Sequence, residues 1–148
     1  MVIRTIVHFE IPASDTARLA RFYGDVFGWK FQKAPVGELE YWLISTGPQG
    51  RSVGGGMYPR MDPADRPRNF VLIEKIDPAI EQFLAAGGTQ LVPKMEVPGM
   101  GWSFIGADPE GNPIALWEPG RRAPPPRRAR PAKPNRRTRR PARRRRRA

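Results

Sequence analysis

The 148-residue sequence contains no cysteine and a single histidine, His8. Without cysteine there are no disulfides, no thiolate metal ligands and no cysteine nucleophile. With one histidine, a 2-His-1-carboxylate iron site cannot form within one chain. No apolar run approaches the roughly 20 residues needed to cross a membrane. The start, Met1-Val2-Ile3-Arg4-Thr5, lacks the basic, apolar and cleavage regions of a secretion signal, so a soluble, cytoplasmic protein is expected.

The last 28 residues lack something else. Residues 121–148 hold no acid, no aromatic and no aliphatic side chain larger than alanine. They carry 14 arginines, Lys133 and six prolines, 15 of the 26 basic residues in the chain. Such a segment has nothing to bury and is expected to be disordered. Its charge suits non-specific, salt-sensitive contact with nucleic acid. No folded reader accompanies it, and clustered arginine without aromatics argues against base stacking. Removing it inverts the charge of the remainder: residues 1–120 set eleven basic residues against fourteen acidic ones, a net of −3. About 120 residues suffice for one domain with a real core.

Within that body one pattern occurs twice. Ile3 to Ile11 is a strand candidate ended by Pro12. Ser14 is the expected helix cap, with Asp15 in the first turn. Leu19, Phe22, Tyr23, Val26 and Phe27 follow at helical spacing, and Gly28 stops the helix. Strands are predicted at 29–31, 41–46 and 52–58. After a polar linker, Met61 to Arg68, the order repeats: a strand at 70–73, a helix capped by Asp77 with Pro78 first, and strands at 89–92, 101–106 and 113–118. Asp108-Pro109-Glu110-Gly111-Asn112 reads as a tight turn before the apolar run Ile114–Trp117. A βαβββ unit of ~55 residues cannot bury its sheet alone, so two copies are expected to pair face to face around one cleft, an α+β fold.

Val7-His8-Phe9-Glu10-Ile11, Arg21-Phe22-Tyr23, Val26-Phe27-Gly28-Trp29, Ala85-Ala86-Gly87-Gly88, Val97-Pro98-Gly99-Met100-Gly101-Trp102 and Asp108–Glu118 stand in the order found in one family. By these residues the chain resembles the vicinal-oxygen-chelate (VOC) superfamily, the glyoxalase/bleomycin-resistance/dioxygenase fold. The resemblance covers residues 3–118. It implies a domain at 1–120, with modules at about 3–60 and 69–119, and a homodimer. It does not choose among isomerase, dioxygenase, transferase and drug-binding activities.

Members that do chemistry place metal ligands on the first and last strand of each module. The resemblance puts those slots at His8, Tyr58 or Met57, Phe70 and Glu118. His8 and Glu118 suit a divalent Zn, Ni, Mn or Fe ion. Phe70 cannot bind one, Met57 is too soft, and neutral tyrosine is a poor ligand, so the set is incomplete. Alternatively, Glu118 holds His8 by a hydrogen bond and the pair acts as a general base. Tyr58, Met57, Phe70, Trp42, Trp102 and Phe104 are candidates to line an aromatic cavity for a small, partly apolar ligand. Which of them point inward depends on strand register. Gly54-Gly55-Gly56 lacks the lysine and following helix of a phosphate loop and reads as close packing. Val97–Gly101 reads as a cleft-side gate or an ordinary connection. Three readings stay open: a small-molecule protein with lyase- or isomerase-type chemistry, a drug-sequestering binder without catalysis, and nucleic-acid tethering through residues 121–148.

Overall fold

The computed structural model describes residues 4–36 and 38–120, so the expectation for residues 121–148 lies outside the described residues. Two βαβββ modules follow one another. The first is β1 (Ile6–Ala13), α1 (Thr16–Phe27), β2 (Lys30–Val36), β3 (Leu39–Ser45) and β4 (Gly54–Pro59). The second is β5 (Arg68–Leu72), α2 (Ile76–Ala85), β6 (Thr89–Val97), β7 (Gly101–Ala107) and β8 (Pro113–Pro119). Among the described residues no helix is long and apolar enough to cross a membrane.

The modules join differently from expectation. They form one eight-stranded sheet in the order β2-β3-β4-β1-β5-β8-β7-β6. Within each module the first strand runs parallel to the last. That leaves β1 and β5 each with one free edge, and the two edges pair antiparallel. Edge-to-edge joining satisfies backbone groups that face-to-face stacking would leave unpaired. Its register sets His8 against Phe70 and Glu10 against Arg68.

Both helices pack on the same side of their own module. Leu19 and Ala20 of α1 lie against Met57, Ile44 and Ala13, with Phe9, Ile11 and Trp42 beside them. Ile76 and Ala79 of α2 lie against Phe104, Leu116 and Ile73. Alternation along the strands then sends the other half of the side chains to a face that carries no helix.

The helix ends show local chemistry at work. The cap of α1 is Asp15, not Ser14: its carboxylate accepts the Arg18 N–H at 2.8 Å. Gly28 ends α1 in the left-handed region (φ 70°), which glycine enters without a Cβ penalty. α2 begins two residues before the expected start. Lys75 stands at its cap and makes no side-chain capping bond. Pro78 is therefore third in the helix, where its missing N–H still costs nothing. The Asp108 turn forms as expected. Its carboxylate accepts from the amides of Glu110 and Asn112 and from Asn112 Nδ2, each at 2.9 Å.

Val97–Gly101 is an ordinary hairpin link between β6 and β7, closed by Met100 N–H donating to the Val97 carbonyl at 2.9 Å.

Candidate functional site

The helix-free face is built from in-register rows. One row runs Gly54, His8, Phe70, Ala115 and Ile105 across β4, β1, β5, β8 and β7. The next holds Gly56, Glu10 and Arg68. Phe70, Ile105 and Ala115 are buried together, with Val92 and Trp117 packed against them. They form a buried apolar cluster at the second-module end.

A polar chain lies at the other end. His8 Nε2 is 2.9 Å from the Tyr41 hydroxyl. That hydroxyl donates to Glu10 Oε1 at 2.9 Å. Arg68 Nε donates to Glu10 Oε2 at 2.7 Å, and a second guanidinium nitrogen also contacts Oε2. The Arg68 guanidinium lies 4.9 Å from the centre of the Tyr58 ring, close enough for a cation–π contact. The His8 ring meets Phe70 edge-on at 5.4 Å. Glu10 is 9% exposed, and a carboxylate that buried is tolerable only with such partners. Tyr58 Oη is buried with no partner.

Two glycines make room for this arrangement. A Cβ on Gly56 would fall within the Tyr41 hydroxyl and ring, and one on Gly55 would strike the Phe9 ring. Gly54-Gly55-Gly56 is thus a packing device, as its lack of phosphate-loop features implies.

Burial pushes the His8 imidazole below its ordinary value of 6.5, and the Glu10 charge opposes the shift in part. Burial and the Glu10 carboxylate push the Tyr41 phenol upward, so it stays a neutral donor. Burial likewise raises Tyr58.

The predicted residues divide between the two faces. His8, Tyr58 and Phe70 share the helix-free face. Met57 and Trp42 pack under α1, and Phe104 under α2. Trp102 pairs with Glu118 on the α2 side, with Lys94 4.6 Å over its ring. Glu118 shares parity with Leu116, not with Ala115, so it too faces α2. There its Oε2 accepts the backbone N–H of Ile76 at 2.7 Å. It caps the helix that Lys75 does not cap, and it makes no bond to His8. The position on β8 in register with Phe70 is Ala115. Sequence reasoning passed over Glu10, Tyr41 and Arg68 as site residues. Glu10 carried a readable signal: it stands two residues from His8, hence on the same face of one strand.

A divalent ion does not fit these residues. Gly54, Phe70 and Ala115 offer no donor in the His8 row. Both Glu10 oxygens are engaged, one by a guanidinium whose charge would repel a cation. Among the described residues no three histidine, aspartate or glutamate side chains converge.

Two surface depressions lie elsewhere. One of about 180 Å³ is beside the α2 start (Arg4, Glu74, Lys75, Gln82). One of about 300 Å³ is beside the α1 start (Asp15, Arg18, Tyr23, Arg60).

Comparison with known proteins agrees with this architecture. The Bleomycin resistance protein-like N-terminal family profile matches residues 5–47. A glyoxylase-like domain-containing protein of Didymella fabae is 31% identical over 86 residues, 55% of this chain and 67% of its own length. The chain belongs to the glyoxalase/bleomycin-resistance/dioxygenase (VOC) superfamily. CFP32 of Mycobacterium bovis is 23% identical over 117 residues, 76% of this chain. The chain spans only 44% of that relative's length. A superfamily member from Vibrio splendidus superposes with a TM-score of 0.57 at 13% identity, covering 78% of this chain and 98% of its own. That likeness concerns the fold.

Proposed function

We propose that the chain binds a small, largely apolar organic molecule on the helix-free face of its sheet, without a divalent metal. One observation carries this reading: the hydrogen-bonded chain His8–Tyr41–Glu10–Arg68 sits beside the buried apolar cluster of Phe70, Ala115 and Ile105. Apolar walls with a few fixed polar groups are what small-molecule sites share. Lyase- or isomerase-type proton transfer belongs to this proposal as the chemistry a neutral histidine can supply.

A second reading, sequestration of a drug-like compound without turnover, draws support from the N-terminal profile match. A homodimer belongs to the same proposal. Its support is the apolar side of α1, where Phe22, Val26 and Phe27 stay 54–58% exposed. Nucleic-acid contact through residues 121–148 rests on composition alone.

The test is a thermal-shift screen of aromatic and glutathione-like compounds, with and without chelator, on protein made without a histidine tag. Hits that stabilise equally with chelator, and weaken in His8→Ala, are expected. Stabilisation that needs an added metal would overturn the metal-free form. Hits indifferent to His8 would move the site off this face.

A further inference from the structure

The bond directions along the polar chain determine the state of His8. Glu10 is a carboxylate paired with a guanidinium, so it only accepts. The proton of the Tyr41 hydroxyl is committed to Glu10 Oε1. Tyr41 therefore has only lone pairs to offer His8, and His8 Nε2 must be the donor in their 2.9 Å bond. A neutral imidazole that carries its proton on Nε2 presents a bare lone pair at Nδ1. Nδ1 has no partner among the described residues. His8 is only partly exposed, and among the described residues the one buried side-chain nitrogen or oxygen without a partner is Tyr58 Oη. Nδ1 is consequently open to solvent rather than stranded.

We propose that His8 Nδ1 is the proton acceptor of the site, a base that works without metal, and that its ligands are small apolar molecules carrying an acidic C–H, N–H or O–H. This rests on the small-molecule reading above and gives it a substrate class. In the proton-transfer step, Nδ1 takes the proton and the electron pair of the broken bond stays on the ligand. The imidazolium so formed keeps its Nε2–H bond to Tyr41, and through it faces the Glu10 charge. Return of the proton to the same or another atom restores neutral His8. His8 would touch the ligand. Tyr41 and Glu10 are positioning residues, which hold the tautomer and the ring. The groups set around His8 are Glu10 on β1, Tyr41 on β3, and Phe70 and Arg68 on β5.

Because His8 is the only histidine, a long-range ¹H–¹⁵N spectrum of the ring reports it alone. In ligand-free protein at neutral pH the expected result is protonated Nε2 and bare Nδ1. Tyr41→Phe removes the acceptor and should mix the tautomers, while in Glu10→Gln the one amide oxygen should turn to the donor-only Arg68 and the NH2 to Tyr41, freeing the Tyr41 proton for His8 Nε2 and moving His8 toward the Nδ1–H form. A proton on Nδ1 in wild type, or a tautomer indifferent to Tyr41→Phe, overturns the inference and leaves small-molecule binding standing.

The second measurement is base-promoted ring opening of 5-nitrobenzisoxazole with chelator present. Here the C3 proton goes to the base, the C–H pair forms the nitrile, the N–O bond breaks and a coloured phenolate leaves. The rate should fall about 10²-fold in His8→Ala and in His8→Gln, the scale of a positioned base. It should rise with pH through the His8 titration seen by NMR. A wild-type rate no greater than that of the two variants contradicts the proposal. Were the tautomer as predicted but no screened compound bound, the small-molecule reading would fail instead.

Discussion

Replacing Glu118 by alanine should weaken the fold and spare the site. Its Oε2 holds the Ile76 amide at 2.7 Å, and Ile76 is 1% exposed at the first turn of α2. Without the carboxylate that N–H has no partner, and water reaches it only by opening the helix end. An orphaned buried donor costs about 1–3 kcal/mol, and loss of a helix cap lies in the same range, typically ~1 kcal/mol. The carboxylate also faces the positive end of α2, a further 0.3–1 kcal/mol or so. Taken together, Glu118→Ala should cost about 2–3 kcal/mol. For a domain of this size that lowers Tm by roughly 4 °C per kcal/mol. Glu118→Gln keeps an acceptor oxygen and loses only the charge, so it should cost about 0.5–1 kcal/mol. The assay is urea unfolding of the two variants beside wild type, with ligand binding measured on each. An unchanged unfolding midpoint in Glu118→Ala, with binding abolished, would refute the capping role and return this carboxylate to the ligand site.

Further outcomes follow from the same geometry. Gly56→Ala should destabilise by about 1–3 kcal/mol through overpacking, and the penalty should shrink in a Tyr41→Ala background, a coupling that a double-mutant cycle reads directly. His8 has a folded pKa below its ordinary 6.5, so between those two values the unfolded chain binds more protons. Stability should then be flat above pH 6.5 and fall with the pH below it. In His8→Gln, urea midpoints measured between about pH 5 and 7 should lose that slope. A version ending at Gly120 should lose DNA binding that the full chain shows at low salt, and equal binding by both in a salt titration would exclude residues 121–148 as the determinant.

Turns and stops were readable because their chemistry is local. Asp108–Asn112 and Gly28 behave as their residue types require, since an Asx turn and a left-handed helix end depend on neighbours a few positions away. The α2 cap was not readable, because Glu118 reaches it from 42 residues along the chain. Which way a strand residue points depends on one unit of register. Met57 and Tyr58 are adjacent and face opposite sides. Glu118 and Ala115 are three apart and also differ in side. Counting His8 and Glu10 as same-face neighbours required only strand parity. Arg68 required the β1–β5 register, which no local pattern encodes. The sheet order had the same origin: the element sequence identifies two modules, but which edges remain free emerges only once each module has paired internally.

The most direct test follows the His8 ring nitrogens while a compound that stabilises the protein is titrated in. A ligand on the helix-free face should move the Nδ1 resonance saturably, with the same affinity in Glu118→Gln as in wild type. Binding that leaves both ring nitrogens of His8 unmoved, or that disappears with Glu118→Gln in a protein still folded, would contradict the account.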